Sequence, residues 1–262
     1  MRKAVRNARN FACYYGEDGL EKLSNFDAVI LASHKQSEAN VRQLVAAGTV
    51  TLAYLSVGED SSEFTDGFEH DWLEPIEFEP EWALREITGE VIRNEVWGGV
   101  VVNLADVGWT KTLFDRAKRA LEMGFHGFFL DTIDRNSVAD RRALTKIIRD
   151  LRSRWPGAPI MLNRGFELLP SVQDLVDGVM FESLSTTWLL EGKRVNYARV
   201  TDETLEVNLQ VAQQLRDLGR RWELALWALD YTDSRELEAF AQATAKAFGF
   251  VTFTADRLLT RL

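Results

Sequence analysis

From end to end this chain alternates short, nearly continuous apolar runs with amphipathic stretches, and few folds accept that pattern. The runs are "FACYY" (11–15), "DAVILAS" (27–33), "TLAYLSVGE" (51–59), "GGVVVNLAD" (98–106), "GFFLDTID" (127–134), "PIMLNRG" (159–165), "GVMFESL" (178–184), "LALWALDYTD" (224–233) and "FVTFTAD" (250–256). Helical stripes lie between them. Ser37 can cap a helix through Val41, Leu44 and Val45 that stops at Gly48. Leu144, Ile147, Ile148, Leu151 and Trp155 keep a 3.6-residue period up to Pro156. Leu205, Leu209, Ala212 and Leu215 make a third stripe, and Leu237, Phe240, Ala241, Ala245 and Phe248 a fourth. Apolar strands that alternate with helices imply a parallel sheet buried under them. Over 262 residues no Pro/Ser-rich linker interrupts the pattern, so one α/β domain over 1–262 is expected, a single (β/α)8 TIM barrel. Nine runs for eight barrel places leave one as an accessory strand. A doubly wound open sheet is the alternative, but no G-x-G-x-x-G or G-x-x-x-x-G-K-[ST] supports its nucleotide-binding forms.

The runs also have a direction. Glycine precedes several of them (Gly48, Gly98, Gly127, Gly178), while polar residues close them: Glu59, Asp106, Asp131 with Asp134, Asn163, Glu182, and Asp230 with Tyr231. In a parallel barrel all carboxyl ends open on one face, where such enzymes keep their chemistry. Strand alternation puts Asp131 on the side of Phe129 and Glu182 on the side of Met180, so both acids can point over one mouth. Two carboxylates across a pocket suit glycoside hydrolysis. One, kept protonated, gives its proton to the leaving oxygen; the other attacks the anomeric carbon or activates water.

Other chemistries find less support. A formal net charge of -9 offers no basic footprint for nucleic acid. Cys13 is the only cysteine, and His34, His70 and His126 lack the H-x-x-x-H spacing of a zinc helix. A Schiff-base aldolase needs a lysine at a strand end, and the runs supply none. No stretch has the roughly 18 apolar residues of a membrane span, and the amino terminus lacks the apolar core of a signal peptide, so the sequence as written reads as cytoplasmic. The stretch from Gly58 to Trp97, after the third strand, is rich in acids and carries Trp72 and Trp82. An insertion of that kind would shape the cleft and attract a cationic sugar.

Five blocks, "AYLSVGE" (53–59), "GFHGFFLDTID" (124–134), "NRGFELL" (163–169), "VMFESL" (179–184) and "LDY" (229–231), resemble in order and context the endo-α-1,4-polygalactosaminidase family, glycoside hydrolase family 114. The resemblance runs from about Phe11 to the end. It implies a (β/α)8 barrel that cleaves α-1,4-linked galactosamine polymers from within, with no metal or organic cofactor, and whose members are often secreted. Asp131 corresponds to the catalytic nucleophile and Glu182 to the acid/base. Tyr54, Glu59, Asp134, Asn163, Asp230 and Tyr231 match further positions and are expected to line the substrate cleft. The partner implied is a polysaccharide or oligosaccharide, a cationic amino sugar included, and neither nucleic acid nor membrane. Arg164 stands where members commonly carry a small residue. If Asp131 is the nucleophile, anomeric configuration is retained and the two carboxyl groups lie about 5 to 5.5 Å apart. A barrel that binds the glycan without cleaving it is the alternative.

Overall fold

A computed structural model of the chain describes residues 1–60 and 79–262. Eight parallel strands follow one another around a single sheet: Phe11–Tyr14, Ala28–Leu31, Val50–Ser56, Gly127–Asp131, Ile160–Asn163, Gly178–Glu182, Ala225–Tyr231 and Val251–Ala255. In chain order these are the first to the eighth strand of the barrel. The sheet curls until its ends meet. Phe11 of the first strand lies 5.8 Å from Phe253 of the eighth, ring centre to ring centre, and the Tyr15 amide donates to the Leu259 carbonyl at 2.7 Å. The result is a nearly closed α/β TIM barrel with helices outside, as the alternation requires.

The helices begin and end where the sequence marks them. Ser37 caps Glu38–Ala46 by accepting the Asn40 amide at 3.1 Å, and Ser137 caps Val138–Arg154 through Asp140 at 3.0 Å. Helices Val107–Glu122, Asp202–Trp222 and Arg235–Ala247 cover the remaining flanks. Inside the barrel Phe129, Met161, Met180, Trp227 and Leu229 are buried, and Trp227 stacks on Phe11 at 4.5 Å. The lower interior is therefore filled with side chains, and a cavity stands above them at the carboxyl ends.

The ninth apolar run, 98–106, is the accessory one. Its Val100–Val101 pairs antiparallel with Glu59–Asp60, outside the barrel. Valines satisfy an edge ladder as readily as a barrel, and periodicity does not tell the two apart. Residues 61–78 of the acidic insertion expected here, Trp72 among them, lie outside the described residues. Trp82 is a packing residue: its indole leans on Trp109 at 5.9 Å and donates at 2.9 Å to buried Asp60, which also meets Arg116 at 2.7 Å. An unforeseen hairpin, Thr186–Glu191 with Arg194–Arg199, rises after the sixth strand and turns at Gly192, φ +64°.

The amino-terminal rim carries a charged lock. Asp177, fully buried just ahead of the sixth strand, meets Arg2 at 2.8 Å, Arg6 at 3.0 Å and Arg152 at 2.7 Å, and accepts the Ile160 amide at 3.0 Å. The short helix Arg2–Arg6 is thereby tied across the base of the barrel. His126 sits at this end too, where its Nδ1 accepts the Thr51 amide at 3.1 Å.

Candidate active site

The fourth, fifth and sixth strands end on Asp131, Asn163 and Glu182. The Asn163 side-chain amide donates to Asp131 Oδ1 at 2.7 Å and to Glu182 Oε2 at 2.6 Å. Those two oxygens are therefore no farther apart than the 2.7 Å and 2.6 Å arms combined, about 5.3 Å. Tyr54, from the third strand, donates to Asp131 Oδ2 at 2.9 Å, and Tyr231, from the seventh, to Glu182 Oε1. All four carboxylate oxygens have a neutral donor, which offsets the cost of burial without cancelling the charge.

Strand alternation explains why these side chains converge. Phe129 and Asp131, Met180 and Glu182, and Leu229 and Tyr231 all line one cavity of about 230 Å³ at the carboxyl end of the barrel. The backbone immediately beyond each strand end is less ordinary. Thr132, Arg164 and Ser183, the residues after Asp131, Asn163 and Glu182, are all left-handed, with φ of +59°, +54° and +55°. For a β-branched threonine this conformation is costly and persists only where neighbours enforce it. Thr132 Oγ1 accepts the Gly58 and Val57 amides at 2.7 and 3.1 Å and donates to the Asp131 carbonyl at 2.6 Å. Gly58 must remain glycine, because a Cβ there would lie 2.1 Å from the Thr132 carbonyl oxygen. Arg164 spans the same rim, donating to the Glu182 carbonyl at 2.9 Å and to Asp134 at 2.8 Å. The chain thus turns sharply away after each strand and leaves the Asp131, Asn163 and Glu182 side chains at the mouth.

Burial and neighbouring charge act on two of the acids. Burial, and then the charge of Asp131, raises the proton affinity of Glu182; the hydrogen bonds from Asn163 and Tyr231 and the more distant Arg164 pull it back. Burial also raises Glu59, with Asp131 adding and Asn94 and Arg135 opposing. Tyr54 and Tyr231 are pushed well above the ordinary phenol range, first by burial and then by the adjacent carboxylates, so both stay protonated as donors.

Of the eight residues singled out in the sequence, Tyr54, Glu59, Asp131, Asn163, Glu182 and Tyr231 come together around this cavity. Asp134 and Asp230 do not line it. Asp134 accepts the Gly165 amide at 2.6 Å and pairs with Arg164 on the outer rim. Asp230 points outward from its strand, and its Oδ1 accepts the Ser185 and Thr186 amides at 2.7 Å each, anchoring the base of the hairpin. The cavity also takes residues that sequence reasoning passed over. Asn94 and Trp97 come from the stretch between the third and fourth barrel strands. Cys13 and Tyr15 come from the first strand and its end, and Arg257 from beyond the eighth strand. The Arg257 guanidinium stacks between Trp97 and Trp188, 4.2 Å from each ring centre, and burial lowers its pKa to about 10.

Comparison with known proteins accords with this geometry. A family model described as glycoside-hydrolase family GH114 matches residues 3–256. The glycoside hydrolase domain of PelA from Pseudomonas aeruginosa is 28% identical and superposes with a TM-score of 0.76 over 98% of each chain. Ega3 of Aspergillus fumigatus, solved in complex with galactosamine, shares the fold at 13% identity, with a TM-score of 0.65 over 96% of this chain and 91% of that one. Uncharacterized protein MJ1477 of Methanocaldococcus jannaschii is 27% identical over 119 residues, which are 42% of this chain and 31% of that protein. The matched part thus spans about a third of that curated relative.

Proposed function

Because this chain belongs to glycoside-hydrolase family GH114 and is a glycosidase, we propose that it cleaves α-1,4-linked galactosamine-containing polysaccharide from within, with retention of anomeric configuration. Asp131 is the nucleophile and Glu182 the acid/base. In the first step the protonated Glu182 gives its proton to the departing glycosidic oxygen while Asp131 attacks the anomeric carbon, and the sugar is left as an ester on Asp131. In the second, Glu182, now a carboxylate, takes a proton from water, which displaces Asp131 from the same carbon.

The single observation that carries this reading is the Asn163 bridge. It keeps facing oxygens of the two acids no more than about 5.3 Å apart, which supports the close spacing of retaining enzymes, roughly 5 to 5.5 Å, over the roughly 6.5 to 9.5 Å that leaves room for water in inverting ones. The division of roles follows from environment. Glu182, whose proton affinity is raised by burial and then by its anionic neighbour, is the better suited of the two to carry the proton. Asp131, which accepts from Tyr54 and Asn163, is the partner left to attack. Tyr54, Glu59, Asn163 and Tyr231 line the sugar site, and Asp134 and Asp230 support it through the turns and hairpin they hold.

The test is digestion of de-N-acetylated and N-acetylated α-1,4-galactosaminan, with mass spectrometry of the oligomers and proton NMR of the first-formed anomer. A series of oligomers with the α-anomer first is expected. A β-anomer first would overturn retention, and binding without oligomers would overturn hydrolysis.

A further inference from the structure

A second cavity, of about 290 Å³, opens at the base of the barrel and shares no residue with the one that holds Asp131 and Glu182. We propose that it binds a small phosphate monoester, with the phosphoryl group held by Arg216 and Arg220 and the apolar body lying on Leu226, Trp227 and Phe248.

The cavity lies between the short helix Arg2–Arg6, the last turns of helix Asp202–Trp222 and the amino ends of the seventh and eighth strands. Its charged lining is cationic throughout, from Arg6, Arg216 and Arg220, and none of its other side chains can accept a hydrogen bond. Arg216 and Arg220 stand one turn apart on the helix, so they are neighbours on its surface. Gly219, between them, lets the helix sit close on the barrel: a Cβ there would lie 3.1 Å from Leu226 Cδ1. Both arginines are thereby fixed in the wall rather than spread over the surface.

The protein supplies these two cations with no anion. Neither Arg216 nor Arg220 forms an ion pair or a side-chain hydrogen bond among the described residues. The nearby acids are committed elsewhere. Asp177 is shared by Arg2, Arg6 and Arg152, and Glu223, with its side chain 85% exposed, reaches only Arg6, at 3.9 Å. Burial lowers the proton affinity of Arg152, Asp177 opposes this, and Arg2 and Arg6 lower it further, a sign of crowded positive charge at this end. Helices Asp202–Trp222 and Arg235–Ala247 end here, but each carboxyl end offers only about half a negative charge. Together they fall short of what Arg216 and Arg220 carry. The excess stands in a chain whose formal net charge is -9. A phosphate monoester brings nearly two negative charges and terminal oxygens that match guanidinium forks, where a carboxylate brings one charge. The apolar side of the cavity asks for more than a bare ion.

Binding of phenyl phosphate, inorganic phosphate and phenol is measured by calorimetry at constant ionic strength, on the wild type and on Arg216→Gln/Arg220→Gln. Phenyl phosphate should bind the wild type at one site, more tightly than inorganic phosphate, and phenol should not bind. The double substitution should weaken phenyl phosphate about 10- to 100-fold, the scale of charged hydrogen bonds. No saturable binding of phenyl phosphate, or equal affinity in the variant, would overturn the inference. Phenol binding as tightly would overturn it too, and inorganic phosphate binding as tightly would overturn the part given to the apolar wall. Arg220 is exposed, so Arg220→Gln alone should fold and weaken binding in the same direction. Amide NMR of the wild type should place the perturbed signals around Gly219 and Gly249; changes confined to the strand ends at Asp131 and Glu182 would put the ligand in the other cavity and sink the proposal.

Discussion

The two ends of the barrel each bury carboxylates, and they meet the cost in opposite ways. At the base, Asp177 faces three guanidinium groups, from Arg2, Arg6 and Arg152. At the mouth, Asp131 and Glu182 face hydroxyl and amide donors. Charge against charge makes a lock whose value lies in holding the amino-terminal helix and the Asp177 turn in place. Neutral donors hold geometry just as well without fixing a charge, which the acid/base role proposed for Glu182 requires. Burial is common to both ends; the partners of the acids are what differ.

The contrast can be broken most severely at the mouth. Glu182→Gln should lower kcat on the polymer by about 10²- to 10⁴-fold, with a smaller loss on an aryl glycoside whose leaving group needs no proton, as a chromogenic assay would read. Its melting temperature should change little. At the base the outcome reverses. Asp177→Ala leaves three arginines without their anion and should cost about 3–5 kcal/mol of stability, measured by denaturant unfolding. The kcat of the protein that remains folded at low temperature should match wild type.

A subtler test takes away the bridge. Asn163→Ala removes a hydrogen bond that lowers the proton affinity of Glu182. The pKa of the acid should therefore rise, and the alkaline limb of kcat/KM, where activity falls as Glu182 loses its proton, should move to higher pH. A loss of about 10- to 100-fold in kcat should accompany that shift, the scale of one or two charged hydrogen bonds. The smallest effect belongs to Glu59. Its pKa is higher folded than unfolded, so the native state pays nothing for it below the unfolded value of about 4.3 and the full burial penalty above the folded value. Glu59→Gln should thus be as stable as wild type at pH 4 and slightly more stable at pH 7, within about 1 kcal/mol by thermal melts.

Much of this was legible because a barrel turns sequence order into position. Eight of the nine apolar runs became barrel strands, and alternation alone put Asp131 above Phe129 and Glu182 above Met180. The same alternation, applied strictly, would have removed Asp230: with Leu229 and Tyr231 pointing inward, the residue between them points out. Grouping polar residues by strand end hid that distinction. Asp134 escapes the rule for another reason, because the left-handed Thr132 ends the strand geometry on which parity depends. Asn94, Trp97 and Arg257 reach the cavity from loops whose placement depends on contacts distant in sequence, such as Asn94 with Glu59. The hairpin did leave a trace, a Gly-Lys pair between two β-prone segments, a recognisable two-residue connection.

The lock at the base also bears on how the molecule can be handled. Arg2 and Arg6 pin the start of the chain to the side away from the cavity, whereas Arg257, Leu258 and Leu259 near its end form part of the cavity wall. An affinity tag or solid support joined ahead of Met1 would leave the opening facing outward to a long polymer. The same attachment behind Leu262 would crowd the entrance.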